Sequence, residues 1–525
     1  MAKTPLLKTF RKKAQLFSAT AAVLALSLAG CSGSGETAVT GKGGTSITGA
    51  VELFDATVPH SVSLSWDDDD YDAMIAAYET DSDKAWISAD ITIDGTLIEN
   101  VGVRLKGNST LRGLGGTQDG APGGGGMGPG GDGTMPTDMP TDMAGGPGGD
   151  GGMGPGGDGT MPTDMAGTPG DGIRPGGDGT RPTDMPTDMA GGPDGEAGGA
   201  PGGGMGASSD ISADDPASLP LLIRFDKYVD GTEYDGLTEL ALRPGTPVIN
   251  EAVALSVTAA TGQPTQRYSY TTYSVNGSAT QTRLLLENPD EQYGESIDDG
   301  DSVVFKADAD SSFSYQGDDL ATYKDQFKQL NKEDSQDATL IVSFLKWLDE
   351  ADDATFDAEL ANWVDVASFA KYTATQNLLA NSDDMAGPGQ NYYLSYNLTT
   401  KKISVISWDL NLALSGNATA SPDESLSMGG GGKGATNRVG GGMGGNALKT
   451  RFLASATFQT LYKSAYQELY QQVFGDGTAQ SLLTTITASI PASDGLSQDD
   501  ITDKSATVAT FLTQRGEALE KAFAG

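Results

Sequence analysis

The sequence predicts an α+β fold in which a strand-rich N-terminal half and a helix-rich C-terminal half form two lobes with a cleft between them. In the first half, short runs of alternating apolar and polar residues predict strands, for example over residues 58–66. In the second half, longer segments with helical spacing of apolar residues dominate, at 339–351, 364–380, 447–473 and 506–524. A long tract with few bulky apolar residues, 113–209, separates two groups of strands and is predicted to be disordered.

The elements of the first half begin near residue 47. An acidic run, Asp67 to Asp70, precedes a short predicted helix over 71–78 and stabilises its positive N-terminal end. Residues 86–105 predict two strands joined at Asp94-Gly95, a dipeptide that favours a hairpin turn. After the tract, the sequence predicts a helix at 247–261 and strands at 221–225, 268–275, 281–287 and 302–306.

One hairpin interrupts the helices of the second half. Residues 391–397 and 402–408 have the composition of strands, and they flank the polar turn 398–401. Because a hairpin places the start of its first strand beside the end of its second, we expect residues 391 and 408 to be neighbours.

Residues 1–30 are typical of a lipoprotein signal peptide. The apolar or small-residue stretch 16–30 is too short to cross a bilayer with margin. It ends in Leu28-Ala29-Gly30-Cys31, which resembles a bacterial lipobox and predicts lipidation of Cys31; the alternative is an ordinary signal peptide with a coincidental cysteine. We therefore expect an extracytoplasmic protein anchored to the bacterial cell membrane, with residues 31–46 as a flexible tether. The positive residues before the apolar stretch are Lys3, Lys8, Arg11, Lys12 and Lys13.

The composition of the chain excludes several classes of site. A net charge of −38, from 71 acidic and 33 basic residues, argues against nucleic acid as a partner, because phosphate backbones need clustered Lys and Arg. Cys31 is the only cysteine, which excludes a disulfide framework and a thiolate zinc site. His60 is the only histidine, is expected at a strand edge, and leaves no Ser-His-Asp triad. An enzyme of this composition must use carboxylates and lysines, with a hard metal held by oxygen ligands.

Two tracts are rich in glycine. In 113–209 the unit PGGDGT-x-PTDM occurs three times at unequal spacing, which argues against a stacked solenoid. The alternative role for this tract is metal binding by its Met and Asp residues. The second tract, 428–445, carries Lys433 and Arg438 and is expected to be a flexible loop, with a loop folded over phosphates as the alternative.

The most informative segment for chemistry is 381–414. Asp383 follows a predicted helix, whereas Asn391 opens the predicted hairpin and Asp409 follows its second strand. Such a cluster of oxygen ligands suits Mg²⁺ bound to nucleotide phosphates. It also parallels phosphoryl transfer, in which one Asp accepts the proton of the substrate hydroxyl while an Asn and another Asp hold metal. From the spacing alone the alternative, side chains that only cap turns, stays open.

Six segments, read together, resemble the CotH family of spore-coat-protein-H-like, atypical protein kinases. They occur in the family's order and cover most of residues 50–525 outside the two Gly-rich tracts. The resemblance implies a two-lobed kinase-like fold over 47–525, interrupted by 113–209 and 428–445, with ATP as substrate and Mg²⁺ or Mn²⁺ as cofactor. The six segments are VGVRLKGNST (101–110), LIRFDKYVDGTEYDGLTEL (222–240), RLLLENPDEQYG (283–294), VVFKAD (303–308), NSDDMAGPGQNYYLSY (381–396) and ISWDLNLAL (406–414).

The resemblance also implies roles for the residues that match. Asp383 falls on the family's catalytic base, with Asp384 as the alternative if the loop register shifts by one. Asn391 and Asp409 fall on metal-binding positions. The residues implied to lie near the nucleotide are Arg104, Lys106, Asn108, Ser109, Arg224, Glu287 and Lys306. For Glu287 the alternative is a surface carboxylate at the end of a strand.

Three positions depart from the family's pattern. Leu222 stands where a basic residue is usual, Asn411 where a second Asp is frequent, and Arg243-Pro244 where a polar Asn pair is common. Three hypotheses about function follow. The first is a kinase that transfers the γ-phosphate of ATP to Ser or Thr of a surface or exported protein. The second is a catalytically inactive surface scaffold or binding lipoprotein with the same fold; adenylylation on this fold is a third.

Overall fold

The computed structural model describes residues 44–55, 57–107, 109–114, 211–309, 311–424, 426 and 446–524. The signal peptide and the lipidation predicted at Cys31 lie outside the described residues. So does the disorder predicted for nearly all of 113–209 and for 428–445. Asn108 and the side chain of Ser109 also lie outside the described part of the chain.

The strands carry most of the regular structure before residue 310 and return in the predicted hairpin. In chain order they are β1 (Ser46–Ile47), β2 (His60–Trp66), β3 (Ile87–Ile93), β4 (Thr96–Leu105), β5 (Leu221–Arg224), β6 (Glu233–Tyr234), β7 (Glu239–Leu242), β8 (Tyr268–Val275), β9 (Gln281–Glu287), β10 (Ser302–Ala307), β11 (Phe327–Gln329), β12 (Tyr392–Asn397) and β13 (Ile403–Ser407).

Seven of these strands close into a barrel in the order β2-β3-β4-β5-β7-β9-β8. Neighbouring strands are antiparallel except β2 and β8, which run parallel and close the barrel. In β2 the side chains alternate between buried and exposed, so Val62 and Leu64 enter the core. Ile91 and Val103 join them, and full burial of one such aliphatic side chain contributes about 1.5–3 kcal/mol.

The tract 113–209 is inserted between two paired strands. β4 ends at Leu105 and β5 begins at Leu221, and these two residues are partners in the antiparallel ladder. The described residues at the two edges of the tract also meet, since a Cβ placed on Gly113 would lie 3.4 Å from Cγ1 of Ile211. The chain therefore leaves and rejoins the barrel at one place.

A second sheet has the strand order β11-β10-β12-β13. The predicted hairpin is confirmed, because β12 and β13 pair antiparallel with Tyr392 opposite Ser407. Its turn is stabilised by the side chain of Asn397, whose Oδ1 accepts hydrogen bonds from the backbone N–H groups of Thr399 and Thr400 at 3.1 and 2.8 Å. Asn391 and Asp409 lie just beyond the opposite, open end of the hairpin.

Helices dominate after residue 338. In chain order the helices are α1 (Asp68–Asp81), α2 (Ile249–Ala260), α3 (Glu291–Ser296), α4 (Thr339–Glu350), α5 (Asp353–Trp363), α6 (Val366–Leu378), α7 (Ala447–Ala454), α8 (Ala456–Tyr470), α9 (Thr478–Ser489) and α10 (Gln498–Ala524).

Capping explains where several helices differ from the predictions. The helix predicted over 71–78 is longer at both ends. Its earlier start follows from Asp67, whose carboxylate accepts the N–H of Asp69 and caps an acidic first turn. The single helix predicted over 447–473 is divided into α7 and α8 at Ser455, whose hydroxyl caps the second helix. Helices α3, α5 and α9 were not predicted.

A second core lies among the helices and the second sheet. Helix α2 contributes Val253, Leu255 and Val257 to it, together with Val508 from α10. The structure thus confirms a mixed α+β fold, while the two-lobed, kinase-like arrangement stays a prediction. Within the described segments, no helix combines the length and apolar content that crossing a bilayer requires.

Candidate active site

Asp383 lies in the loop that follows α6, and its carboxylate is held by two donors. The backbone N–H of Gly389 donates to Oδ1 at 2.8 Å, and the side-chain amide of Asn391 donates to Oδ2 at 3.0 Å. The same amide donates to the backbone oxygen of Asp383, also at 3.0 Å. Residue 389 must be glycine, because a Cβ there would lie 2.7 Å from both Asp383 Oδ2 and Asn391 Nδ2. The Gly-rich loop therefore lets its backbone approach the carboxylate and orient it.

The surroundings of Asp383 favour its protonated form more than water does. Burial raises the pKa of this carboxyl, and the negative charges of Asp409 and Asp384 raise it further. The hydrogen bonds from Gly389 and Asn391 oppose that rise. A carboxylate with a raised pKa is a stronger proton acceptor, which is the property a general base needs near neutral pH.

Cations hold the two neighbouring carboxylates. Lys449 of α7 forms an ion pair with Asp384, and Arg243 forms one with Asp409. Asp409 itself lies two residues after the end of β13 and has a left-handed backbone conformation (φ 50°). Among the described residues no ion pair involves Asp383, which is held by neutral N–H donors instead. Of the three acidic side chains, Asp383 is thus the one whose charge is not compensated by a neighbouring cation.

The two residues predicted to bind a metal, Asp409 and Asn391, lie at this site, and only Asp409 offers a carboxylate. Within the described segments, no three acidic, histidine or cysteine side chains are grouped so that they could hold a metal ion by themselves. Mg²⁺ is commonly bound through one or two carboxylates together with substrate phosphates, so a small donor set suits it. Asp409 and Asn391 therefore fit a divalent cation in donor chemistry. Arg243 contacts one of the oxygens concerned, Oδ1 of Asp409.

A cavity of about 260 Å³ lies beside this cluster, and its lining is strongly basic. Four of the residues predicted to contact nucleotide lie together there, and Lys328 is a fifth cation, against one lining carboxylate, Glu239. In a chain of net charge −38, such a concentration of positive charge favours an anionic ligand. We call it the cationic cavity. Its lining residues are Trp86, Arg104, Lys106, Leu222, Arg224, Glu239, Asn288, Pro289, Lys306, Lys328, Leu330 and Tyr393.

Trp408 connects the cationic cavity to the acidic cluster. The Nζ atoms of Lys306 and Lys106 lie 4.8 and 5.6 Å from the centre of its ring, and Asp409 follows it in sequence. Burial lowers the pKa of Lys106 to about 7, with Lys306 and Arg243 adding to the effect and Asp409 opposing it. Burial likewise lowers the pKa of Lys306, again opposed by Asp409. The two lysines and Asp409 are therefore close enough to influence one another.

Not every predicted nucleotide residue lies at the cationic cavity. Glu287 is absent from its lining and instead pairs with Arg267, whose guanidinium donates to it at 2.7 Å. Leu222, the position where a basic residue is usual, does line the cavity. Positive charge comes instead from Lys106, directly after β4, and from Lys306 in β10 of the second sheet. Asn411 uses its backbone oxygen to accept a hydrogen bond from Asn250 at 2.6 Å.

Sequence reasoning missed several groups at the site, among them Glu251 and Lys449. Glu251, in the first turn of α2, is fully buried and bound by Arg243. The signal for it was present, because Glu251 is the one charged residue in the otherwise uncharged helix INEAVALSVTAA, and a buried carboxylate requires a partner. Lys449 offered no such signal, since nothing local links it to Asp384.

Comparison with known proteins gives one strong result and one weak one. The family model described as CotH kinase protein matches residues 215–516, which include Asp383, Asn391 and Asp409. Curated proteins gave no match. Among solved structures, the Shewanella oneidensis MR-1 toxin–antitoxin complex of HipA and HipB with operator DNA is similar over 55% of this chain and 58% of that chain, at 11% identity and a TM-score of 0.26. The match spans less than two thirds of that chain, and a TM-score this low supports no conclusion.

Proposed function

The chain belongs to the CotH kinase family, and we propose that it is a metal-dependent protein kinase that transfers the γ-phosphate of ATP to Ser or Thr of a surface or exported protein. The observation that carries this proposal is the position of Asp383. Its carboxylate is oriented by two N–H donors, has a raised pKa, and lies near Asp409, whose charge also influences Lys106 of the cationic cavity.

In this mechanism Asp383 accepts the proton of the substrate hydroxyl as the oxygen attacks phosphorus. Each carboxylate oxygen already accepts one hydrogen bond, but each has a second lone pair for the substrate. The two existing hydrogen bonds prevent rotation of the carboxylate, so a free lone pair keeps its direction. Orientation of this kind, together with a matched pKa, is what general base catalysis requires.

The phosphates of ATP occupy the cationic cavity in this proposal. Lys106, directly after β4, and Lys306 in β10 approach them, with Arg104 and Arg224 on the paired strands β4 and β5. A bound polyanion raises the pKa of Lys106, so this lysine is charged in the complex even though burial lowers its pKa to about 7 in the free protein.

Asp409 and Asn391 would hold the divalent cation, Mg²⁺ or Mn²⁺, which neutralises charge on the β- and γ-phosphates when bound. The kinase-like fold then has two lobes, with the barrel strands over the nucleotide and the helices around Asp383. Lipidation of Cys31 anchors the protein to the outer face of the bacterial cell membrane, where its protein substrate is met. ATP is thus required outside the cytoplasm.

The test uses the purified full chain with Mg²⁺ or Mn²⁺ and γ-labelled ATP, with labelling of itself or of a generic protein as the readout. We expect Asp383→Asn to reduce labelling by about 10²–10⁴-fold, the usual contribution of a general base, while ATP binding persists. Asp318→Asn is the matched control, because it removes an exposed carboxylate elsewhere. Label that arrives only from the α-phosphate would instead indicate adenylylation.

The alternative is an inactive surface scaffold with the same fold. The observation that favours it is the ion pair between Arg243 and Asp409, which engages the proposed metal ligand, together with the apolar Leu222 in the cationic cavity. The same experiment separates the two functions. Absence of labelling, combined with no rise in melting temperature on adding ATP and metal, would exclude the kinase and support the scaffold.

A further inference from the structure

Arg243 binds two carboxylates at once. Its Nε lies 2.8 and 3.0 Å from the two carboxylate oxygens of Glu251, and its Nη2 contacts Oδ1 of Asp409. The side chain of Glu251 is fully buried, that of Arg243 is 14% exposed and that of Asp409 is 27% exposed. We call these three residues the Arg243 triad. The guanidinium is thus anchored on its buried side and meets Asp409 on its accessible side.

Three separate elements hold the Arg243 triad together. Arg243 follows β7 and donates its backbone N–H to the oxygen of Leu284 at 3.0 Å. Glu251 lies in the first turn of α2. The neighbouring Asn250 of that turn donates to the backbone oxygens of residues 411 and 413 and so holds the segment after Asp409 against the helix. The backbone positions are therefore fixed independently of the contact between Arg243 and Asp409.

This arrangement allows Arg243 to release Asp409 without losing its own partner. A guanidinium has five donors in a planar fork, and two of its nitrogens already face the carboxylate of Glu251. Release costs Arg243 one of two anionic partners, and that partner is the more exposed one. A buried arginine with a single anionic partner could not release that partner, because its own buried charge would then be unpaired.

We propose that Arg243 is an internal competitor for the divalent cation at Asp409, so that it weakens metal binding in the nucleotide-free protein. The inference rests on the proposed function, which places metal at Asp409. The competition is for one oxygen, Oδ1, since a carboxylate oxygen directed at a guanidinium cannot at the same time take up an unhindered metal bond. A released Arg243 remains beside Lys106, because its positive charge contributes to the lowered pKa of that lysine. It then adds a cation where the phosphates of ATP are proposed to lie.

The test measures Mn²⁺ binding to the full chain without nucleotide, by the electron paramagnetic resonance signal of free Mn²⁺. The double variant Arg243→Gln/Glu251→Gln removes the competitor and leaves the net charge of the triad unchanged, so a gain in affinity cannot come from a more negative field. We expect Mn²⁺ to bind about tenfold or more tightly to it than to the unmodified protein. Adding Asp409→Asn should abolish the gain. The matched control is the surface pair Lys346→Gln/Asp318→Asn, which is expected to change nothing.

Unchanged Mn²⁺ affinity in the double variant overturns the inference. So does the absence of Mn²⁺ binding in every variant, because there is then no metal binding in the nucleotide-free protein for Arg243 to weaken. If the double variant does not fold, Arg243→Lys replaces it: the compact ammonium lacks the planar fork with which the guanidinium holds Glu251 and Asp409 at once, so Mn²⁺ should again bind more tightly. Unchanged Mn²⁺ affinity in a folded Arg243→Lys protein would likewise contradict the inference. A gain in Mn²⁺ affinity in the double variant, together with no phosphoryl transfer by the unmodified protein, would refute the proposed kinase while leaving the competition at Asp409 intact.

Discussion

Lys449 forms an ion pair with Asp384, the residue that follows the proposed base. Lys449 lies in the first turn of α7, directly after the second Gly-rich tract, and its side chain is 19% exposed against 4% for Asp384. The pair therefore joins the helix after that tract to the loop that carries Asp383. It also neutralises one of the two charges that raise the pKa of Asp383.

Removal of Lys449 should destabilise the fold. We expect Lys449→Met to lower the free energy of unfolding by roughly 3 kcal/mol, because it leaves the buried carboxylate of Asp384 without a cation. The double variant Lys449→Met/Asp384→Asn should recover most of that loss, since no unpaired charge remains. Denaturation in urea measures both. Equal instability of the single and double variants would show that the ion pair is not the cause.

Phosphoryl transfer should decline in acid as Asp383 becomes protonated. The pKa of Asp383 is raised by burial and by the charges of Asp409 and Asp384, so the decline begins at a higher pH than an ordinary aspartate would give. Asp384→Asn removes one of those charges, lowers the pKa of Asp383, and should move the acid limb of the rate profile to lower pH. The rate as a function of pH at saturating ATP measures this. An acid limb that stays at the same pH, or moves to higher pH, contradicts the assignment of Asp383 as the general base.

The cationic cavity should determine ATP affinity. We expect Lys306→Met to raise the Kd for ATP by about tenfold or more, because a hydrogen bond to a charged group contributes about 1.5–3 kcal/mol. Isothermal titration calorimetry at fixed metal and salt concentration measures the change. Lys324→Met removes the same charge from an exposed position away from the cavity and should leave Kd unaltered. An equal Kd for ATP in the two variants would mean that the nucleotide does not bind in the cationic cavity.

Replacing residues 115–210 by a short Gly-Ser linker should leave the fold intact. Gly113 and Ile211 lie side by side, and the adjoining strands β4 and β5 are already paired, so a short linker suffices. A shorter loop between them costs less entropy to close, so we expect stability to rise by about 1 kcal/mol. Thermal melting of the two proteins provides the comparison. A large fall in melting temperature would mean that the tract packs against the barrel.

Local patterns predicted a substantial part of the fold. Period-two alternation identified β2, and the Asp94-Gly95 turn identified the hairpin of β3 and β4. The polar turn at 398–401 identified the hairpin that places Asn391 and Asp409 at one end. These features depend on residues close together in the chain, which is why they can be read from it. The barrel could not be predicted, because its closure pairs β2 with β8, strands that lie roughly two hundred residues apart.

The same distinction applies within the site. The sequence by itself determined the residue types available, namely carboxylates, amides and lysines with a single histidine, and local spacing placed Asp383, Asn391 and Asp409 near one hairpin end. Only the tertiary structure decided which cation meets which carboxylate. Arg243 forms ion pairs with Glu251 and Asp409, and Lys449 forms one with Asp384. Glu287 forms an ion pair with Arg267 and does not line the cavity. The physical reason is that ion pairs depend on distance and burial after folding, and neither is encoded in the spacing of residues along the chain.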